Sequence, residues 1–171
     1  MNEKIIKTSE EIEAAIGDLS DILNKEFHKA SIDIILMNHA AKFLVKDLIK
    51  FLDLDIRLQN LNFKNYESSS ESGEVHITKD LEHPIYDRHV ILADGMIISG
   101  ATHFYLYNCL KQRLPKSISI ISTGMKPNAL KCELPNCYSL FKFNEEWVEG
   151  YGIGGGEYSL ERYLVDIKKS L

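Results

Sequence analysis

The stretch from Val90 to Thr102 contains the residues whose types and spacing are best suited to chemistry. It predicts a buried apolar strand that ends in an acid, Asp94, followed by a turn of small residues and the start of a helix. Amides at a helix N-terminus, with the hydroxyls of Ser99 and Thr102 beside Gly100, can surround a phosphate dianion, and Asp94 can hold ribose hydroxyls or magnesium. From the residues alone, an ordinary strand-to-helix turn is the alternative, because most helix N-termini bind no anion.

This stretch resembles the phosphoribosyl pyrophosphate motif of type I phosphoribosyltransferases, a buried strand followed by Glu-Asp-x-x-Asp-Thr-Gly-x-Thr. Asp94 takes the first acidic position, and the resemblance implies a catalytic and metal-binding role for it. It also implies a phosphate-binding turn made of Ile98, Ser99, Gly100, Ala101 and Thr102.

Two positions depart from this motif. Gly95 stands in place of the second acid, and Ile98 stands in place of the aspartate that takes the proton from N7 of the purine in the family. General-base catalysis typically contributes about 100-fold to 10,000-fold in rate, so Ile98 predicts slow purine chemistry. It does not affect the prediction of phosphate binding, since the similar stretch of uracil phosphoribosyltransferases also has a non-acidic residue there.

The rest of the chain is similar to bacterial hypoxanthine-guanine phosphoribosyltransferases. Seven short fragments occur in the order and at nearly the spacing of that family, and the resemblance spans residues 8 to 167. The fragments are Thr8-Ser9-Glu10-Glu11-Ile12, Ser72-Gly73-Glu74-Val75, Lys79-Asp80-Leu81, Arg88-His89-Val90, Pro115-Lys116-Ser117, Lys126-Pro127 and Val148-Glu149-Gly150-Tyr151-Gly152. The resemblance implies transfer of a phosphoribosyl group from phosphoribosyl pyrophosphate to hypoxanthine or guanine.

The resemblance assigns the purine to three residues. Lys126, given a catalytic role, would donate to the exocyclic oxygen, Trp147 would stack on the ring, and the backbone of Val148 would meet the ring edge. An ammonium suits a 6-oxopurine, and stacking on an aromatic face is worth roughly 1 to 3 kcal/mol. The residues alone favour a solvated lysine before a turn proline and a partly buried core tryptophan.

The resemblance assigns pyrophosphate to Asn38, His39 and Arg162, the last also a catalytic residue. A lone histidine at a helix start is more often a surface residue, which is the alternative for His39. Gly154 stands where the family has an aspartate that binds magnesium, and Glu157 is a candidate substitute. The cofactor implied is Mg²⁺.

The elements that must position these residues alternate between strands and helices. Helical spacing of apolar residues follows a capping box at residues 8 to 11, recurs from residue 41 to 52, and predicts a third helix over Ser99–Arg113. Strands are predicted over Ser31–Met37, Leu54–Phe63, Glu74–Thr78, Arg88–Ala93, Ser117–Ser122, Cys137–Phe143 and Trp147–Tyr151.

This order predicts an α/β fold with a mostly parallel central sheet flanked by helices, and ligands at the carboxyl ends of its strands. The resemblance adds the type I phosphoribosyltransferase fold, with a small hood formed by the chain ends. We expect one domain over residues 1–171, with a flexible active-site loop at residues 66–73, which are polar and rich in serine.

The composition of the chain argues against several classes of partner and metal site. The 20 basic residues are scattered along a chain of net charge -5, which argues against nucleic acid. Three cysteines without Cys-x-x-Cys spacing argue against a disulfide framework and a zinc site, and no apolar run predicts a membrane span or an export signal. We expect a cytoplasmic protein, and the resemblance implies a homodimer or homotetramer.

Two other functions stay open at this point. The missing acids at positions 95, 98 and 154 suit a non-catalytic, regulatory protein that binds nucleoside monophosphate. Ile98 also suits a phosphoribosyltransferase for a different base, because it makes the pocket more apolar.

Overall fold

The computed structural model describes residues 4–66 and 74–167 of the chain. In chain order the elements are β1 (Lys4–Lys7), α1 (Ser9–Phe27), β2 (Ser31–Leu36), α2 (His39–Leu48), β3 (Asp55–Asn60), β4 (Asn62–Tyr66), β5 (Glu74–Lys79), β6 (His89–Ile97), α3 (Ala101–Lys111), β7 (Ser117–Met125), β8 (Cys137–Lys142), β9 (Val148–Glu149) and β10 (Leu164–Asp166). The predicted flexible loop lies, from residue 67 to 73, outside the described residues.

The core of the fold is a five-stranded parallel sheet in the order β3-β2-β6-β7-β8. Helices α1 and α2 cover one face, where they pack on Ile91, Ala93 and Ile121. Helix α3 covers the other face, where Leu106 and Leu110 pack on the alternate residues of the same strands. Because both faces are covered, the central strands are buried along most of their length and rich in Ile, Val and Leu, as the sequence predicted.

The first helix confirms the predicted capping box. The hydroxyl of Thr8 accepts from the amide of Glu11 and the Glu11 carboxylate accepts from the amide of Thr8, so two helix-end donors are satisfied. Its apolar stripe faces the sheet, with Ile12, Ile16, Leu19, Leu23 and Phe27 all buried.

A second, three-stranded antiparallel sheet in the order β1-β10-β9 joins the two ends of the described chain. It is the predicted hood, although neither β1 nor β10 was predicted as a strand. Of the strand predicted over Trp147–Tyr151, only Val148 and Glu149 are paired as a strand. This small sheet holds the loop that follows β9 over the end of the central sheet.

Other strand predictions were also wrong in their bounds, and β7 continues three residues beyond its predicted end at Ser122. The single strand predicted over Leu54–Phe63 is two strands, because the chain turns at the buried Leu61 and β4 then pairs antiparallel with β5 instead of extending β3. Strand β6 does not end at Ala93 but continues beside β7 as far as Ile97. Asp94 therefore lies inside a strand and not at its end.

Among the described residues, none of the helices has the length and apolar character needed to cross a membrane.

Candidate active site

The predicted site residues from Asn38 to Lys126 lie at the carboxyl ends of β2, β6 and β7, where the hood faces the central sheet. A cavity of about 280 Å³ opens there between the start of α2 and the loop that follows β9. Its lining is Asn38, His39, Ala40, Met96, Gly152, Ile153 and Gly154. Ligands bind at this edge in open parallel sheets, so the location agrees with the prediction from the order of elements.

Asp94 is enclosed by donors from three elements. The side-chain amide of Asn38 donates to its Oδ1, as does the backbone amide of Gly95 at 2.6 Å. Its Oδ2 lies 2.7 Å from Nε2 of His103 on α3, in a contact too bent to count as a full hydrogen bond. With only 5% of Asp94 exposed, this carboxylate joins β6 to both neighbouring helices.

The same contacts fix the predicted pyrophosphate residues. Asn38 is the N-cap of α2, because its Oδ1 accepts from the amide of Ala41 at 3.0 Å while its amide group reaches Asp94. His39 is exposed at the first position of α2, and its ring packs edge-on against Phe43 with 5.8 Å between centroids. Its imidazole therefore lines the cavity from the helix start.

Gly95 is required by close packing. A Cβ at this position would overlap the Cβ of Ala40, where α2 crosses the strand. An acid at position 95, as in the motif that this stretch resembles, would force α2 away from β6. The loss of the second acid is thus tied to the close approach of helix and strand.

The predicted phosphate turn is present, and α3 begins just after it at Ala101. Gly100 is the N-cap with φ of 75°, in the left-handed region that favours glycine, and a Cβ there would press on Leu130, Cys132 and Leu134. The hydroxyl of Ser99 accepts from the amide of Ala101 at 3.4 Å. The first amides of any α-helix lack acceptors within the helix, so this turn presents donors toward the cleft.

Lys126 directly follows β7, beside the phosphate turn. Its amide donates to the carbonyl of Ile97 at 2.9 Å, which places the residue at the same sheet edge as Ile98. The side chain of Lys126 is half-buried, whereas 54% of Ile98 is exposed. The two residues flank one end of the cleft.

Trp147 lies on the surface and not in the core, so the alternative of a partly buried core tryptophan was wrong. The residue is 66% exposed, yet its backbone is fixed on both sides. Its amide donates to Oδ1 of Asp166 at 2.9 Å and its carbonyl accepts from the amide of Ile167 at 2.9 Å. Val148 follows in β9, paired with Asp166. A fixed backbone with a free indole face suits stacking on a flat ring.

Arg162 is not brought together with Asn38 and His39. Its guanidinium pairs with Asp47 and lies 5.0 Å from the centroid of the Tyr151 ring. Asp47 is eight residues along α2 from His39, about 12 Å at the rise of an α-helix. A pyrophosphate role would require Arg162 to leave this pair, so the structure gives the predicted role no geometric support.

The Asp47 cluster is a stabilising element of the hood. Burial alone would raise the pKa of Asp47, but hydrogen bonds from Lys50, Tyr151 and Arg162 outweigh it and lower that pKa to about 2. The hydroxyl of the fully buried Tyr151 donates to Asp47 at 2.6 Å. These contacts tie the loop that follows β9 to the end of α2.

Two residues of the site were not found from the sequence. His103 had a signal, because it shares the buried stripe of α3 with Leu106 and Leu110 at positions i, i+3 and i+7. Glu149, an acid of the hood, is buried as well, and no pattern in the neighbouring sequence predicted its burial.

The comparison of this chain with known proteins agrees with the site. The hypoxanthine-guanine phosphoribosyltransferase of Bacillus subtilis is 30% identical over 157 residues, which cover 91% of this chain and 87% of that protein. The chain belongs to the hypoxanthine-guanine phosphoribosyltransferase family. The enzyme of that name from Mycobacterium tuberculosis is 28% identical over 156 residues, which cover 87% of this chain and 77% of that one. No protein-family model matches the chain.

The fold gives the same result. A crystal structure of hypoxanthine phosphoribosyltransferase from Staphylococcus aureus matches with a TM-score of 0.88 at 27% identity, over 96% of this chain and 91% of that one. The predicted family, the type I phosphoribosyltransferase fold and the enzyme class are confirmed. The roles of individual site residues in this phosphoribosyltransferase stay predictions.

Proposed function

We propose that this chain transfers the phosphoribosyl group of phosphoribosyl pyrophosphate to hypoxanthine or guanine, giving IMP or GMP and pyrophosphate. One observation carries the proposal. The phosphate turn after β6, Lys126 after β7 and the start of α2 after β2 follow the carboxyl ends of three neighbouring parallel strands, and the hood loop encloses a cavity over the start of α2.

Each end of the cleft suits one part of the substrates. The turn from Ile98 to Thr102 binds the 5'-phosphate through helix amides and hydroxyls. Asn38 and His39, at the opposite side, present the start of α2 to pyrophosphate. Lys126 donates to the exocyclic oxygen of the purine, the Trp147 indole covers its ring, and the backbone of Val148 meets its edge.

Placement and electrostatics carry the reaction, because the cleft lacks a base at position 98. The bond from C1 of the ribose to pyrophosphate breaks as the purine nitrogen bonds to C1. The proton that the purine loses goes to solvent, which reaches the cleft beside the exposed Ile98. Turnover is therefore slower than with a positioned carboxylate.

Magnesium is the cofactor that the family implies, and it would neutralise charge on the departing pyrophosphate. The residues fit it unevenly. Asp94, predicted as its ligand, already accepts hydrogen bonds from Asn38 and Gly95 and lies against His103, so this carboxylate is a poor fit. Asp94 instead positions Asn38 and the start of α3.

Turnover with a panel of bases tests the proposal. The protein, phosphoribosyl pyrophosphate and Mg²⁺ are incubated with hypoxanthine, guanine, xanthine, adenine or uracil, and nucleotide formation is followed by chromatography. We expect product with hypoxanthine or guanine. Product from another base alone, or tight binding of GMP without turnover of any base, would refute it.

Lys126→Ala tests the base pocket. A hydrogen bond from a charged donor is worth about 1.5 to 3 kcal/mol, so we expect hypoxanthine binding to weaken by about 10-fold or more. Binding of ribose 5-phosphate should change little, because the phosphate turn is untouched. Calorimetry measures both, and Lys142→Ala on the exposed face of β8 is the control. Equal weakening of both ligands would place Lys126 elsewhere.

We also propose a cytoplasmic homodimer or homotetramer. The three cysteines are unpaired thiols in the described structure, which suits a reducing compartment. Tyr86 and Leu114 are strongly exposed on adjacent turns, joined by a hydrogen bond from the Asp87 amide to the Leu114 carbonyl. Light scattering after size-exclusion chromatography measures the assembly, and a monomer at all concentrations would contradict it.

A further inference from the structure

Glu149 is a buried carboxylate without a partner. The residue is 4% exposed, and its Oε1 has no hydrogen-bond partner among residues 4–66 and 74–167. Burying an ionised carboxylate without a hydrogen bond or a counter-charge is costly, so such groups are retained where they meet a cation or a donor. The reaction steps described above make no use of this group.

Glycines of the following loop enclose the Glu149 side chain. A Cβ on Gly154 would lie 2.9 Å from Cγ and 3.3 Å from Cδ of Glu149, and a Cβ on Gly156 would lie 2.5 Å from Oε1. The Glu149 side chain therefore fills the space that a side chain at position 154 would occupy. Gly154, Gly155 and Gly156 are themselves exposed, so only a thin glycine loop separates the carboxylate from solvent.

The enclosed carboxylate lies beside the pyrophosphate end of the cleft. Gly154, which contacts Glu149, lines the same cavity as Asn38 and His39. Asp94 lies near this end as well, but three donors already surround it. Glu149 is thus a buried carboxylate at this end with an oxygen that no described donor satisfies, and a ligand reaches it only if the glycine loop moves.

We propose that Glu149 binds the divalent cation that accompanies pyrophosphate in the cleft. Mg²⁺ takes one or two protein carboxylates together with phosphate oxygens and water, so a complete protein cage is not needed. In the described part of the chain no three His, Cys, Asp or Glu residues form a metal cluster, which agrees with a cation held jointly by one carboxylate and the substrate. The glycine loop moves aside as the cation and pyrophosphate enter. This inference rests on the proposed function, because it needs pyrophosphate in the cleft.

Glu149→Gln is expected to weaken pyrophosphate binding when Mg²⁺ is present but not when it is absent. Glutamine keeps the shape of the side chain but removes its charge. The effect of Mg²⁺ is the factor by which it lowers the Kd of pyrophosphate, and we expect this factor to be at least ~10-fold smaller in Glu149→Gln than in the wild type. Without metal, pyrophosphate should bind the variant as tightly as the wild type or more tightly, because a negative charge near the anion is gone. Calorimetry with pyrophosphate, with Mg²⁺ or with chelator, measures both.

The matched control is Glu157→Gln, an exposed acid of the same loop. It should keep the full effect of Mg²⁺ on pyrophosphate binding. If Glu157→Gln loses that effect and Glu149→Gln keeps it, Glu157 is the ligand and the inference is wrong. If Glu149→Gln weakens pyrophosphate binding equally with and without metal, its role is structural, which also overturns the inference.

Folding and function are checked separately. Glu149→Gln removes an unpartnered buried charge, so it should melt no lower than the wild type. If it does melt lower, Glu149→Leu replaces it, and an unchanged effect of Mg²⁺ in that variant, which has no carboxylate, refutes the inference. If the Glu149 variant loses affinity for guanine but not for hypoxanthine, and Mg²⁺ still tightens pyrophosphate binding as in the wild type, Glu149 contacts the edge of the base and the inference is wrong.

Binding of GMP in chelator is independent of this cation. A wild type that binds GMP and turns over hypoxanthine, with a Glu149→Gln variant that responds fully to Mg²⁺, contradicts the inference alone. A wild type that shows the Glu149-dependent metal effect on pyrophosphate, but neither GMP binding nor turnover, contradicts the proposed function alone.

Discussion

Replacing Ile98 with aspartate is expected to raise kcat/KM for hypoxanthine by about 100-fold near neutral pH, the lower end of what a positioned general base contributes. Ile98 lies at the edge of the cleft beside Lys126 and is half exposed, so a carboxylate there is accommodated without a burial cost. Aspartate ordinarily has a pKa of about 3.9, so the gain should appear as pH rises through the acid range and hold at neutrality. Steady-state kinetics across pH measures it.

The control for this change is Ile98→Asn. Asparagine has nearly the size and polarity of aspartate but cannot take a proton, so it should leave kcat/KM close to that of the wild type. A gain that is equal in both variants would come from polarity or access and not from general-base catalysis. An unchanged or lower rate in Ile98→Asp would mean that a water or another group already accepts the proton.

The parts of the fold that the sequence predicted well are those set by local pattern and burial. The capping box at Thr8, the apolar stripe of α1 and the aliphatic-rich strands β2, β6 and β7 each lie within about 20 residues, and their local pattern requires no distant partner. Strands β1 and β10 have four and three residues and exist only because the two ends of the chain pair. Such short strands have no period to detect.

The split between β3 and β4 has a similar cause. Residues 54 to 63 alternate apolar and polar side chains except at Gln59-Asn60, where two polar residues in succession shift the alternation. A shift of this kind also fits a bulge within one strand, so it does not by itself predict a break. The break is set by β5, which pairs with β4 in the opposite direction, away from the central sheet. The pairing of β4 with β5, which is more distant in the chain, therefore determines where β3 ends.

In the site, too, features set by contiguous residues were predictable from the sequence, and features set by distant contacts were not. The turn from Ile98 to Thr102 is contiguous, so its chemistry could be predicted from the sequence, whereas the roles of Lys126 and Trp147 were predicted from the resemblance alone. The state of Asp94 depends on Asn38 and His103, which reach it from separate helices, and the absence of an acid at Gly95 depends on Ala40. Those contacts are long-range. Glu149 shows its unusual burial only in three dimensions.

Arg162 shows what sequence spacing cannot determine. Its match to a pyrophosphate-binding arginine assumed about two extra residues in the glycine loop. The sequence alone does not determine where in the loop those residues are inserted, so it does not determine where Arg162 lies. In the structure the guanidinium packs on Tyr151 and pairs with Asp47. The partner on α2, more than 100 residues earlier in the chain, determines its position.

The largest loss of stability is expected from Asp94→Ala. Removing the carboxylate takes the acceptor from the side-chain amide of Asn38 and from the buried backbone amide of Gly95, and a buried donor left unsatisfied costs about 1 to 3 kcal/mol. We therefore expect the free energy of unfolding to fall by about 3 kcal/mol. Urea unfolding followed by circular dichroism measures it.

Asp94→Asn separates positioning from direct contact with substrate. Asparagine keeps an oxygen that can accept from Asn38 and from the amide of Gly95, so it should lose only about 1 kcal/mol, the net value of an ordinary hydrogen bond. If Asp94 acts by holding Asn38 and the start of α3, pyrophosphate binding should fall in step with stability, slightly in Asp94→Asn and strongly in Asp94→Ala. If Asp94 instead binds the ribose hydroxyls or magnesium, both variants should stay close to the wild type in stability and lose phosphoribosyl pyrophosphate equally. That second pattern would return Asp94 to the role that its motif position implies and would require its contacts with Asn38 and His103 to open when substrate binds.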